Sequence, residues 1–347
     1  MKAMVIHRFG EPEVMQWEDP SAPSPGPGEV VVKVHSVSVN RTLDLQVRED
    51  GGGYGAILPL VLGNDPAGEV AETGEGVESP RVGERVAISQ GIHCNACEQC
   101  DSGHPYQCAN RRMLGIHLWG GYAEYVKVPA SNCVTIPDGL SYGEATVVAR
   151  HFPLAIAQTR LTNLRAGDWA LVMGAAGGLG SCIVQVARTI GANIIAGAGA
   201  DERVAVGLDL GAQHGVNYRR DDLEAEVMRI TGGRGVDAVF ENVGDPTQWD
   251  GAFNSMARGG RLVTVGAHGG GMVTLDLKKL YQRRLQVMSG LGAEGRAELE
   301  ESLAQTARGE FQVLIDRTLP LSQAVEAHKL VDSNEPLGKV ILDPTLD

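Results

Sequence analysis

The chain has 347 residues, 43% of them hydrophobic and 21% charged, which is enough for two domains that each bury a core. Its 43 acidic and 30 basic side chains give a formal charge of −13. That balance speaks against nucleic acid or an anionic membrane as main partner, because both need a cationic face. There is no apolar run long enough to span a membrane. Glu11, Glu13, Glu18 and Asp19 follow the short stretch Met1–Ile6, unlike a secretory signal, so a cytoplasmic protein is expected.

The N-terminal third reads as β-rich. Lys2–Ile6 and Val30–Val39 are predicted strands, the second alternating Val with Lys, His and Ser. Pro20, Pro23, Pro25 and Pro27 stiffen the connector between them. Shorter strands are predicted over Gly68–Ala71, Arg85–Ser89 and Tyr122–Val128. Within this region Cys94, Cys97, Cys100 and Cys108 follow one another at spacings of three, three and eight. Four thiolates on one loop close a tetrahedron around zinc and leave no open position for substrate. One structural zinc per chain is therefore expected, in a lobe near residues 91–112. Cys133 and Cys182 read as core residues, and His93 and His104 as bystanders.

From Ser141 the pattern changes. A predicted helix runs to Leu161, and short apolar runs then alternate with amphipathic stretches. The runs are Trp169–Met173, Asn193–Ala196, Gly215–Asn217, Val236–Phe240, Arg261–Val265 and Leu285–Met288. This alternation predicts an α/β fold with a doubly wound parallel sheet, a Rossmann domain over 149–289. After Ser289 two helical stretches and a strand, Lys339–Leu342, return to the first domain, which covers 1–148 and 290–347.

Gly174, Gly177, Gly178 and Gly180 follow the first of these strands and open a helix. A helix N-terminus offers free N–H groups and a partial positive charge, which suits a pyrophosphate. NAD sites usually carry an acid at the end of the next strand. Here that strand ends Ala196-Gly197-Ala198-Gly199-Ala200, with nothing acidic before Asp201. Small residues leave room for a 2′-phosphate, and Arg203, Arg219 and Arg220 are candidate partners, so NADP(H) is favoured over NAD(H). Asn242-Val243-Gly244 and Val265-Gly266-Ala267 end two further strands at the edge where a nicotinamide lies. The expected cofactor contacts are Gly174, Gly177, Gly178, Leu179, Gly180, Ala198, Arg203, Tyr218, Asn242, Gly244, Val265, Gly266 and Ala267.

Together with Pro25-Gly-Pro-Gly-Glu-Val, Gly83-Glu-Arg-Val, Gly120-Gly-Tyr-Ala-Glu-Tyr-Val, Thr135-Ile-Pro-Asp-Gly-Leu-Ser and Gly259-Gly-Arg-Leu, these motifs resemble the medium-chain dehydrogenase/reductase superfamily over essentially the whole chain. The resemblance implies a GroES-like catalytic domain around the Rossmann domain, and it matches the family's structural zinc loop cysteine for cysteine. The family's zinc alcohol dehydrogenases also carry a catalytic zinc, and this chain departs at each of its ligands. The early strand reads Val39-Asn40-Arg41-Thr42-Leu43-Asp44, without Cys. Asn40 and Asp44 are four apart where the commoner pattern has three, so either Asn40 or Arg41 takes the first ligand position. Asn64 and Asp65 replace the His and Glu of the middle motif, and Arg150 or His151 stands at the third position. Neutral Asn is a poor zinc ligand, and a neighbouring Arg repels a dication. No ligand spacing supports another site built from His151, Asp65 and His117.

Without a metal, hydride transfer suits an acceptor whose charge moves onto a hydrogen-bonded oxygen. The expected function is therefore NADPH-dependent reduction of quinones or conjugated C=C bonds of enone or enoyl type. The alternatives are an alcohol dehydrogenase or carbonyl reductase, and a non-catalytic nucleotide-binding or redox-sensing protein. Expected catalytic residues are Asn40, Arg41, Asp65, Arg150 and His151, with Arg150 stabilising an enolate oxygen and His151 supplying a proton. Tyr54 and His117 are weaker proton donors. The partners expected are a small-molecule substrate and further copies of the chain, as a homodimer or homotetramer paired by sheet extension over Met272–Leu275.

Overall fold

The computed structural model describes residues 1–292 and 295–347, and the chain divides into two compact units. One comprises Met1–Arg150, Leu299–Ala307 and Val313–Asp347, and the other His151–Glu298 and Arg308–Gln312. Among the described residues no helix is long and apolar enough to cross a membrane.

In the first unit β1 (Ala3–Ile6) pairs antiparallel with β2 (Met15–Glu18). The long strand β3 (Glu29–Ser38) buries Val30, Val32, Val34 and Val37 completely. A π-helical turn (Arg41–Leu45) and α1 (Gln46–Asp50) follow, then β4 (Leu60–Val61), β5 (Ala67–Thr73) and β6 (Arg85–Ile88). The cysteine lobe is framed by β7 (Gly91–Ile92), α2 (Glu98–Asp101) and β8 (Arg112–Met113). Next come β9 (Tyr125–Pro129), β10 (Cys133–Thr135) and α3 (Tyr142–Leu161). Ser141 and Glu144 cap α3 reciprocally: Ser141 N donates to Glu144 Oε2 at 2.8 Å, and Glu144 N to Ser141 Oγ at 3.2 Å. Cys133 and Cys182, outside the cysteine lobe, are buried. The predicted strand from Tyr122 begins only at Tyr125, because the Tyr122 N–H is already taken by Leu62 O at 2.9 Å.

The second unit is built on β11 (Trp169–Met173), α4 (Gly178–Ile190), β12 (Asn193–Ala198), α5 (Asp201–Asp209), β13 (His214–Asn217), α6 (Leu223–Ile230), β14 (Val236–Glu241), α7 (Pro246–Asn254), β15 (Met256–Thr264), α8 (Leu277–Arg283) and β16 (Gln286–Ser289). All six strands are parallel, in the order β13-β12-β11-β14-β15-β16. This is the doubly wound arrangement, and the strand order reverses between β11 and β14. Leu171, Met173, Ile195, Val239, Phe253 and Leu262 are core residues of this unit. The segment 272–275 carries no strand, and Met272 is 84% exposed.

The chain then returns through α9 (Arg296–Ala307), β17 (Ile315–Pro320), α10 (Ala324–Asp332) and β18 (Lys339–Asp343). β18 pairs parallel with β17 and antiparallel with β3, placing Ile341 opposite Ser38 and Leu342 opposite Val37. It thereby completes a sheet ordered β10-β6-β5-β3-β18-β17, with β9 also paired to β3.

On α10, His328 is fully buried and its Nε2 lies 3.1 Å from the Tyr122 hydroxyl. Burial, reinforced by the Arg48 charge, depresses its pKa to about 3. The unfolded chain takes up this proton near pH 6.5 and the folded chain does not, so stability is lost as pH falls from about 6.5 towards 3. The sign is that of a neutral histidine forced to stay neutral. Against His328→Gln, which keeps an acceptor for Tyr122, the wild type should lose about 2 kcal/mol more on going from pH 6.5 to 5. Denaturant unfolding at both pH values checks this, and parallel losses would refute it.

Candidate active site and cofactor cradle

The first unit gathers a buried polar cluster where β3, the π-turn, the loop before β5 and β18 meet. Asn40, Asp44, Asn64 and Asp65 are each at most 3% exposed, and Lys339 is 9% exposed. Lys339 Nζ donates to Asn40 Oδ1 at 2.6 Å and to Val39 O at 2.9 Å. Asn40 Nδ2 donates in turn to Asp65 Oδ2 at 3.0 Å. The amide can be held only one way round, since its oxygen must meet the ammonium and its nitrogen the carboxylate. Asp65 also accepts from Ser38 N at 2.9 Å and from the Ser38 hydroxyl. Its backbone oxygen is held by Thr146 Oγ1 of α3 at 3.0 Å.

The π-turn decides between the two sequence alternatives. Asn40 O accepts from both Asp44 N at 2.8 Å and Leu45 N at 3.2 Å, so the surplus residue is absorbed as a wide turn. Asn40 consequently faces Asp65. Arg41 turns away, donating to Val331 O and pairing with Asp332 at 3.6 Å at the carboxyl end of α10. Asp44 accepts from Asn40 N at 2.8 Å and Gly63 N at 3.0 Å. Burial, then the neighbouring Asp65 charge, push its pKa up to about 7. Sequence reasoning assigned no role to Asp44, Ser38 or Lys339. The one available signal was a lysine beside the apolar run Val340-Ile341-Leu342.

The other expected residues fall as follows. Arg150 is half-buried, and its Nε is buried without a hydrogen-bond partner. The His151 ring lies against the glycine-rich turn, since a Cβ built on Gly178 would sit 2.7 Å from its Nε2. Both nitrogens of His117 are engaged: Nδ1 accepts from Met113 N at 3.1 Å and Nε2 donates to Tyr54 O at 2.9 Å. It ties the loop of Gly51, Gly52, Gly53, Tyr54 and Gly55 to the segment at Met113.

In the cysteine lobe, Cys97 and Cys100 Sγ are 3.5 Å apart, Cys94 and Cys108 3.5 Å, and Cys94 and Cys100 4.0 Å. All four ligand atoms lie within 4.8 Å of one another. Zinc–sulfur bonds of about 2.3 Å at tetrahedral angles require sulfurs roughly 3.8 Å apart, so the set fits a zinc ion. The backbone N–H of Ala96, then neighbouring thiols, lower the Cys94 pKa to about 6, while desolvation, then its neighbours, raise Cys100 to about 11. Among the described residues no other group of three or more His, Cys, Asp or Glu side chains is arranged for a metal.

The glycine-rich turn lies at the carboxyl end of β11. Gly177 caps α4 in an extended conformation, leaving the first N–H groups, from Gly178, Leu179 and Gly180, without intrahelical partners. A Cβ on Gly180 would come 2.1 Å from Gly174 O, so helix and strand approach as only glycine permits. At the end of β14, Asn242 Oδ1 is buried without a partner, as expected of a place where a ligand donor binds. These features fit a dinucleotide. The strand ends reveal a constraint the sequence did not: a Cβ on Gly266 would lie 2.0 Å from Asn242 O, and one on Gly244 2.8 Å from Ala267 Cα. Glycine there lets the two strand ends touch each other, with or without a ligand. Glu241, also unassigned from sequence, clamps this turn by accepting from Val243 N and Gly244 N at 3.0 Å. Burial raises its pKa. The neighbouring residues Val265, Gly266 and Ala267 follow β15 directly.

Ala198 closes β12 and Arg219 lies along Gly199, where a Cβ would meet its Nε at 3.1 Å and Tyr218 Cε2 at 3.3 Å. Burial raises the Tyr218 pKa, opposed by the charges of Arg219 and Arg203.

A two-unit chain with a doubly wound sheet, a glycine cradle and a tetrahedral thiol set defines a dinucleotide-dependent dehydrogenase or reductase. Residues 26–138 match the family Alcohol dehydrogenase GroES-like domain, and residues 178–308 match Zinc-binding dehydrogenase. The chain is 35% identical over 352 residues to the NAD-dependent alcohol dehydrogenase of Sulfolobus acidocaldarius, covering 99% of this chain and 100% of that one. It is 28% identical over 358 residues to the acryloyl-coenzyme A reductase of Metallosphaera sedula, covering 99% of each. The crystal structure of AibC superposes with a TM-score of 0.93 at 34% identity, covering 99% of this chain and 95% of that one. The chain belongs to the medium-chain dehydrogenase/reductase superfamily and is an NAD(P)-dependent oxidoreductase.

Replacing Cys97 with Ser removes one thiolate from the tetrahedron. Bound zinc should fall, and the melting temperature should drop by about 5 °C or more, since a structural site contributes folding energy. Zinc loss with an unchanged melting temperature would refute a structural role.

Proposed function

We propose that this protein is an NADPH-dependent reductase of conjugated C=C bonds or quinones that works without a catalytic zinc. The observation that carries this reading is the Lys339–Asn40–Asp65 chain of hydrogen bonds, which engages Asn40, the residue that the resemblance to zinc alcohol dehydrogenases sets against their first metal ligand. Its amide oxygen and its carboxylate are engaged by protein donors, and it contains neither thiolate nor imidazole. NADPH supplies a hydride to carbon. The acceptor's charge then moves to oxygen, and a hydrogen-bond donor rather than a Lewis acid meets it. The partnerless Nε of Arg150 supports a role for that guanidinium at the developing oxyanion. His151 is proposed as proton donor, Asn40 and Asp65 as the groups that shape the site, and Arg41 as the anchor that ties the π-turn to the end of α10. The similarity to an acryloyl-coenzyme A reductase agrees with a conjugated acceptor. The greater similarity to an NAD-dependent alcohol dehydrogenase favours the second reading, an alcohol dehydrogenase using NADH.

Steady-state turnover with enones, acryloyl and crotonyl thioesters, quinones and simple alcohols separates the two. NADPH oxidation by a conjugated acceptor, with one zinc per chain by elemental analysis, is the expected result. A second zinc accompanied by turnover of simple alcohols alone would overturn the proposal.

A further inference from the structure

An acid stands just past the carboxyl end of β12 in the second unit. Asp201 is the first residue of α5, directly after the small stretch Ala198-Gly199-Ala200. Its carboxylate is held from the neighbouring strand end: Arg220 Nη1 donates to both oxygens, at 2.9 and 2.8 Å, and Asn217 Nδ2 donates to Oδ1 at 2.9 Å. The other side of the same guanidinium grips Asp221, Nε to Oδ1 at 2.9 Å and Nη2 to Oδ2 at 3.1 Å. All the donor groups of Arg220 are thus directed at these two acids, whereas Arg219 lies along Gly199 beside Tyr218.

We infer that Arg220 determines cofactor specificity without touching the cofactor. It neutralises Asp201 and draws it towards Asn217, so that the charge Arg219 presents beside Gly199 is not opposed. This makes Arg220 a positioning residue. The inference rests on the NADPH reading above and adds to it a division of labour between adjacent arginines, one facing the ligand and one restraining an acid. An exposed ion pair contributes little to folding, so Arg220 can be removed without unfolding the unit. The electrostatic consequence should be confined to ligands that carry a 2′-phosphate.

The test uses the full chain and two kinds of readout. Calorimetric binding of adenosine 2′,5′-bisphosphate and of 5′-AMP is measured for wild type, Arg220→Ala, Asp201→Asn, the Arg220→Ala/Asp201→Asn double variant and the Arg220→Ala/Asp221→Asn control. KM and kcat for NADPH and NADH are measured alongside. Arg220→Ala should weaken the bisphosphate and raise the NADPH KM roughly three- to tenfold, leaving 5′-AMP, the NADH KM and both kcat values within about twofold. Asp201→Asn should restore bisphosphate binding in the Arg220→Ala background, and Asp221→Asn should not. Failure of Asp201→Asn to restore it would mean that Arg220 acts directly on the phosphate, overturning the inference. Equal effects on bisphosphate and 5′-AMP would overturn it too. A wild type that binds the bisphosphate no better than 5′-AMP and prefers NADH would instead sink the NADPH reading itself.

Discussion

Two carboxylates, Asp44 and Asp65, are buried side by side in the first unit, and much of the local architecture follows from compensating them. A buried ion without partners costs several kcal/mol. Here the compensation comes from Lys339, carried across the full length of the chain by β18 and handed to Asp65 through the Asn40 amide. The amide suits this position because it accepts from an ammonium on one side and donates to a carboxylate on the other. A thiolate in its place would bring a further anion beside Asp65 and could not donate to its carboxylate.

The same constraint explains the π-turn. A one-residue surplus between Asn40 and Asp44 would rotate a regular helix by about 100° and swing one of the two out of the cluster. Widening the turn keeps Asp44 on Asn40 N and Gly63 N, and ejects Arg41 towards the end of α10. Such bulges concentrate at functional sites because they preserve side-chain placement at the expense of backbone regularity.

The sequence made legible whatever depends on local spacing. Strand and helix alternation after Ser141 predicts the parallel sheet, the cysteine spacings predict the tetrahedral sulfurs, and the glycines after Met173 predict the cradle. Contacts between distant segments were not legible. Lys339 lies 299 positions from Asn40, and nothing near either residue announces the other. Asp44 was noted only for its distance from Asn40, whereas its burial is a tertiary fact. Gly244 and Gly266 signal close approach in the sequence, and the neighbour that the structure shows at each is the other strand end. A glycine signals close approach, but it does not name what approaches.

That last point bears on how the nucleotide unit is preorganised. The ends of β14 and β15 are fixed against each other by backbone contact and by Glu241, whose carboxylate holds the turn from within. Asn242, whose amide nitrogen reaches Met173 O at 3.4 Å, therefore has its Oδ1 held in place before any ligand arrives. A group fixed in advance loses little entropy on binding. The desolvation cost of leaving that oxygen unpaired is met during folding, and any donor brought to it would recover that cost.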